Sequence, residues 1–206
     1  MRIPKTVDDY LLFIATETAR TAWPGSMMRG RKQVLRKHAK EATEDFFTSE
    51  FNIRKLWNHP RKTKRAYERW HRKTCRDLAY ALRNYRHNNR KCNCIGAKGN
   101  NAETIAAKLL DTFMHQLMKT EKFRVLWCNL HLPLDRRVFK ALSGSDVEFK
   151  EKARIRKILR SRPYSISRKD YETVQNALWD LLARRRSHSE AGCPWTSRIE
   201  LNWLWI

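Results

Sequence analysis

Apolar residues recur every three or four positions along most of this chain, and that spacing predicts helices over Val7–Arg20, Lys32–Phe47, Arg61–His87, Glu103–Lys119, Asp146–Arg160 and Arg168–Arg186. Two of the starts carry a capping signature. Ser145 followed by Glu148 fits a capping box, and Ser167 followed by Asp170 is a looser version of it. Two segments alternate instead and read as extended: Lys122–Leu132, and Arg198–Ile206, where Ile199, Leu201, Trp203 and Trp205 recur at every second position. The expected fold is mainly α, an irregular bundle of about six helices with room for a small two-stranded β element. The 206 residues read as a single domain, 1–206, with weak subdivisions near 88–101 and 143–145.

The segment Arg61–His87 is the most informative. At about 100° per residue, Tyr67, Trp70, Thr74, Leu78, Ala81 and Tyr85 share one side of a helix, while Arg65, Arg69, Arg72, Arg76 and Arg83 share the other. The apolar stripe suits a core, so the arginine row is expected to face outward. Between Arg54 and Lys91 there are 14 Lys and Arg, and the acidic residues are Glu68 and Asp77 alone. Few intrahelical ion pairs are therefore available to relieve the repulsion, and phosphate oxygens are the natural counter-charge.

Composition sharpens this picture. The chain has 44 Lys and Arg against 21 Asp and Glu, a formal charge of +23, together with 8 Trp, 8 Phe and 6 Tyr. It is too rich in core-forming residues for a disordered basic tail, and its charge points to a polyanionic partner. The charge is uneven: residues 29–91 carry 20 basic and 6 acidic residues, whereas 92–149 carry 8 and 6. The near-neutral block reads as scaffold or protein interface. Arginine outnumbers lysine 26 to 18, which favours forked phosphate contact over generic solubility. The expected contact set is Arg61, Lys62, Arg65, Arg69, Arg72, Arg76 and Arg83. Lys32 and Arg36 extend it, Lys98 adds a loop contact, and Lys152, Arg156 and Arg160 supply a second block. Trp23, in a Pro-Gly turn, and Trp57 are candidates for stacking on bases, although packing is the simpler role for each.

Candidate chemistry beyond charge is thin. Ile95-Gly96-Ala97-Lys98-Gly99 resembles the GxxG clamp of KH domains, which grips the backbone of single-stranded nucleotides. The long preceding helix does not suit that fold, and a connection capping the next helix through Asn100 or Asn101 is the preferred reading. Spacings of the R-x4–6-H type found in HEPN ribonucleases occur at Arg31 with His38, Arg54 with His59, Arg65 with His71 and Arg124 with His131. In a chain this rich in arginine such matches arise by chance. Cys92 and Cys94 with His87 form an incomplete zinc set, because structural zinc takes four ligands with wider cysteine spacing. Glu41, Glu44 and Asp45 read as surface carboxylates paired with Lys37, Lys40 or nearby arginines. Neither a catalytic residue, a metal nor a cofactor is assigned.

Five cysteines, Cys75, Cys92, Cys94, Cys128 and Cys193, are odd in number and irregularly spaced, which argues against a secreted disulfide framework. No export signal is evident and no apolar run approaches the roughly 20 residues of a bilayer span, so a cytoplasmic chain without a membrane partner is expected. The expected function is nucleic-acid binding, with RNA or structured nucleic acid preferred, as a subunit or inhibitor of a nucleoprotein complex and without catalysis of its own. The alternatives are a nuclease, metal-dependent or HEPN-like, and a basic interaction module that meets an acidic protein surface.

Overall fold

The computed structural model describes residues 7–21, 23, 33–48, 63–95, 102–117, 126, 129–134, 136–144, 152–161 and 166–187, and within these all side chains except those of 7–8, 33–36, 141, 144 and 181–187. Seven helices and one two-stranded antiparallel sheet are present among them. The helices are α1 (Val7–Thr21), α2 (Gln33–Thr48), α3 (Lys64–Asn84), α4 (Ala102–Leu117), α5 (Arg136–Gly144), α6 (Lys152–Leu159) and α7 (Arg168–Ser187). The strands are β1 (Tyr85–His87) and β2 (Arg90–Cys92).

The near-neutral block supplies the centre of the bundle. Helix α4 is buried nearly all round, through Ala102, Ile105, Ala106, Leu109, Leu110, Phe113, Met114 and Leu117 among others, and α1, α3 and α7 pack on it. A helix apolar on every side is stable only inside. Phe113 stacks on Phe47 of α2 with ring centroids 4.1 Å apart, and Thr104 donates to the Ile166 carbonyl at 2.9 Å, which ties the start of α4 to the approach to α7. Helices α5, α6 and α7 pack in succession.

The long basic helix is shorter at both ends than its periodicity predicts. Thr63 caps it, with its hydroxyl accepting from the Ala66 amide at 3.3 Å and its carbonyl accepting from the Tyr67 amide at 2.9 Å. At the other end Tyr85 turns extended, and Tyr85–His87 pairs with Arg90–Cys92 in register Tyr85↔Cys92 and His87↔Arg90. The hairpin turn places Asn88 and Asn89 at φ 50° and 62°, the left-handed region that asparagine tolerates better than most residues and that a two-residue hairpin needs. The Cys94 amide then donates to the Leu82 carbonyl at 2.9 Å and folds the chain back on the helix end.

The strand pair is therefore not where alternation placed it. Within Lys122–Leu132 the described residues are not strand, and Leu126, Leu130 and Leu132 are simply buried. Arg198–Ile206 lies outside the described residues, as does the Ser145 cap. Helix α5 is not anticipated by the sequence reading, while the expected helix Asp146–Arg160 is observed over Lys152–Leu159, and residues 146–151 lie outside the described residues. The Ser167 cap forms, with its hydroxyl accepting from the Asp170 amide at 3.1 Å and donating to the Asp170 carboxylate at 2.8 Å. No described helix is long and apolar enough to cross a membrane.

Candidate functional site

Helix α3 has two chemically distinct faces. Tyr67, His71, Thr74, Cys75, Leu78, Ala79 and Leu82 are buried, whereas Arg65, Arg69, Arg72, Arg76 and Tyr80 are exposed and Arg83 is half-buried. Trp70 lies at the border, half-buried with its ring 5.6 Å from that of Tyr67. It lines an open depression of about 740 Å³ together with Ala66, Arg69, Lys73, Arg76 and Asp77. Tyr80 is 70% exposed and falls on the same helical face as Arg69 and Arg76.

The arginines of the row differ in their partners. Arg72 Nε donates to Glu172 Oε1 of α7 at 3.0 Å, and Lys73 pairs with Asp77 at 2.8 Å. Arg65, Arg69 and Arg76 have no carboxylate partner among the described residues. Lys152, Arg156 and Arg160 are exposed on or just after α6, whose Ile155, Ile158 and Leu159 face inward. Since α6 packs on α5 and α7 while α3 packs on α2 and α4, the two basic blocks are carried by different helix pairs. Lys32, Arg61, Lys62 and Lys98 lie outside the described residues, as do Trp57 and the side chain of Arg36. Trp23 takes the packing role preferred for it over base stacking: it is buried and donates from Nε1 to Thr43 Oγ1 at 3.0 Å. Of the R-x4–6-H pairs, Arg65 with His71 is the one described on both sides. Arg65 is exposed and His71 fully buried, so the spacing does not bring them into one site.

Beneath the arginine row is a polar network that the sequence reading misses. Arg168 Nη2 lies 3.2 Å from His71 Nδ1, and His71 Nε2 lies 2.8 Å from Asp111 Oδ1. The Tyr171 hydroxyl donates a short hydrogen bond to Asp111 Oδ2, and His131 Nδ1 lies 3.2 Å from the same hydroxyl. These contacts fix the protons. A guanidinium only donates, so His71 Nδ1 accepts and the ring proton sits on Nε2, where it is given to Asp111. Tyr171 spends its proton on Asp111, so it accepts from His131 Nδ1–H. Gln175 holds His131 in place from one residue away, accepting from the Leu132 amide at 3.1 Å and donating to the Leu132 carbonyl at 2.6 Å. Burial, reinforced by Asp111, raises the Tyr171 phenol well above its ordinary range. Burial likewise pushes up the Cys75 thiol, which lies 3.7 Å from His71 Nδ1.

This network is closed to substrate. His71 and Asp111 side chains are fully buried, and the adjoining cavity, lined by Glu68, Arg72, His131, Arg168, Glu172, Gln175 and Asn176, has a volume of about 50 Å³. Ligand sites run to roughly 300–1,000 Å³. One ligand atom each from His71, Asp111 and His131 lie within 4.8 Å of one another, yet the Arg168 cation against His71 opposes a metal ion there. A signal for the network was present in the sequence: Asp111 follows Leu109-Leu110 and precedes Phe113-Met114 on the most apolar helix, and His71 sits one turn from Tyr67 on the core stripe. A polar residue on such a stripe implies a buried partner.

A second group of metal-ligating type is His38, Glu41 and His87, joining α2 to β1. His38 is buried and the other two are half-buried. No family model matches the chain, and neither the curated proteins nor the solved structures include one detectably similar to it.

Proposed function

We propose that this chain binds nucleic acid through the outer face of α3, with Arg65, Arg69 and Arg76 contacting phosphates and Tyr80 and Trp70 offering rings to unpaired bases. The observation that carries the reading is the combination on one helical face of three arginines without carboxylate partners among the described residues, a 70% exposed tyrosine and a groove lined by Trp70. Arginine matches phosphate geometry with a planar fork, and an aromatic ring stacks on any base that is not already paired. That pairing of features favours single-stranded or structured RNA over regular duplex DNA, whose bases are stacked on one another. Lys152, Arg156 and Arg160 of the second block extend the contact to a larger ligand. The protein acts without catalysis of its own, as a binding subunit or inhibitor within a nucleoprotein assembly.

The test is binding of one labelled oligonucleotide as single-stranded RNA and as duplex DNA over a range of salt. Single-stranded RNA should bind more tightly, and each arginine contact should contribute a little less than about one unit to the slope of log affinity against log salt. The triple variant Arg65→Ala, Arg69→Ala, Arg76→Ala should lose about two units of slope on single-stranded RNA while keeping its helical content. A folded triple variant with wild-type affinity and slope overturns the reading. Breakdown of the probe in the presence of Mg²⁺, abolished in no arginine variant, identifies a nuclease instead.

A further inference from the structure

The His38, Glu41 and His87 group has features that neither helix packing nor nucleic-acid binding explains. Glu41 is half-buried, and three donors surround its carboxylate without holding it closely: the Tyr85 hydroxyl at 3.4 Å and His87 Nδ1 at 3.5 Å from Oε2, and Lys37 Nζ at 3.7 Å from Oε1. Good N–H···O hydrogen bonds fall at roughly 2.7–3.2 Å, so these contacts are loose. The buried carboxylate of Asp111, by contrast, is gripped tightly by both of its partners. His38 is only 8% exposed, yet its Nδ1 is buried with no hydrogen-bond partner among the described residues. An unmatched buried imidazole nitrogen is costly unless something absent from the protein itself satisfies it.

The distances suit a shared ion better than a hydrogen bond. A first-row metal holds histidine nitrogen and carboxylate oxygen at about 2.0–2.2 Å, which sets two ligand atoms of a tetrahedral site roughly 3.4 Å apart. His87 Nδ1 and Glu41 Oε2 are 3.5 Å apart, and one ligand atom from each of the three residues lies within 4.8 Å of the others. The His38 and His87 rings stack with centroids 4.3 Å apart and planes 29° from parallel, so the rings must turn out of the stack to aim a nitrogen each at one ion, and the half-exposed His87 ring has room to do so. Lys37, 72% exposed on its flexible stem, is free to swing away from Glu41.

We propose that His38, Glu41 and His87 form a binding site for a divalent first-row transition ion, zinc by its ligand set, that pins the hairpin strand β1 to helix α2. Two imidazoles and one carboxylate are a recurrent zinc triad, whereas magnesium and calcium favour all-oxygen shells. Exposure of Glu41 and His87 leaves the fourth position open to solvent. His87 serves here with partners 46 and 49 residues upstream in the chain, not with the nearby Cys92 and Cys94 that its sequence position suggests.

Cobalt(II) titration of the full chain, after dialysis against chelator, tests this directly. One equivalent should bind with the visible bands of a four- or five-coordinate nitrogen and oxygen site, and zinc should displace it. In histidine side-chain NMR spectra, zinc should shift the ring resonances of His38 and His87 and leave those of His71 and His131 in place. His87→Gln and Glu41→Gln alter half-exposed side chains and should each weaken binding at least about tenfold. Thiolate-to-cobalt charge-transfer bands, unshifted His38 and His87 resonances on adding zinc, or undiminished affinity in both variants each overturn the proposal. The nucleic-acid reading stands or falls separately, since none of its residues is a proposed ligand.

Discussion

Tyr171 of α7 gives its hydroxyl proton to the Asp111 carboxylate of α4, sixty positions earlier in the chain. Both side chains are buried in the core, and His71 of α3 holds the other carboxylate oxygen. Three helices thus meet on one carboxylate. Arg168 balances that charge through the neutral His71 ring, which is why an aspartate is tolerable at the centre of the bundle.

Asp111→Ala is expected to be among the most destabilising single substitutions, by roughly 3–5 kcal/mol, because it strands His71 and Tyr171 without an acceptor. Tyr171→Phe should cost less, about 1–3 kcal/mol. Urea unfolding of both variants and of the double variant should show strong non-additivity, since the two share one interaction. Additive effects would mean that the hydrogen bond contributes little.

Gln175→Leu keeps most of the volume but removes both hydrogen bonds to the Leu132 backbone. Hydrogen exchange at the Leu132 amide should then accelerate markedly while the amides of α4 stay protected. Equal protection at Leu132 in the variant rules out the glutamine as the clamp on this segment.

Cys75 should resist alkylation. The reactive species is the thiolate, and burial raises the Cys75 pKa, so raising the pH through the ordinary thiol range leaves it protonated in the folded protein. Brief iodoacetamide treatment near about pH 8, followed by peptide mapping, should label half-buried Cys92 before Cys75. Labelling of Cys75 at the same rate in the native protein contradicts its placement.

The two faces of α3 should separate stability from binding. Tyr67→Ala opens a fully buried site and should cost about 3–5 kcal/mol. Tyr80→Ala should leave the melting temperature unchanged and weaken single-stranded RNA binding, by about 1–3 kcal/mol if its ring stacks on a base. Arg72→Ala should reduce the salt slope less than Arg69→Ala does, because Glu172 already neutralises Arg72. Equal loss from Arg72→Ala and Arg69→Ala would show that nucleic acid displaces the Glu172 ion pair.

Helix content and the outward arginine row were legible from the chain alone because amphipathic spacing is a local property. Residues three and four apart share a face whatever the rest of the protein does, so Leu78 points inward and Arg69 outward by periodicity. The hairpin was legible in principle too, since Asn88-Asn89 carries the turn conformation, but helical spacing running through Tyr85 masked it. Trp70 and Trp23 were harder: each aromatic fits both a core and a surface, and only the neighbours, Tyr67 for one and Thr43 for the other, distinguish them. What tertiary structure alone decided is which polar groups meet. His71, Asp111, His131 and Arg168 come from separate segments, as do Glu41 and His87, and no spacing rule relates them. Their partners are set by the packing of α3, α4 and α7 and of β1 on α2, and a buried charge or imidazole survives only where that packing supplies its complement.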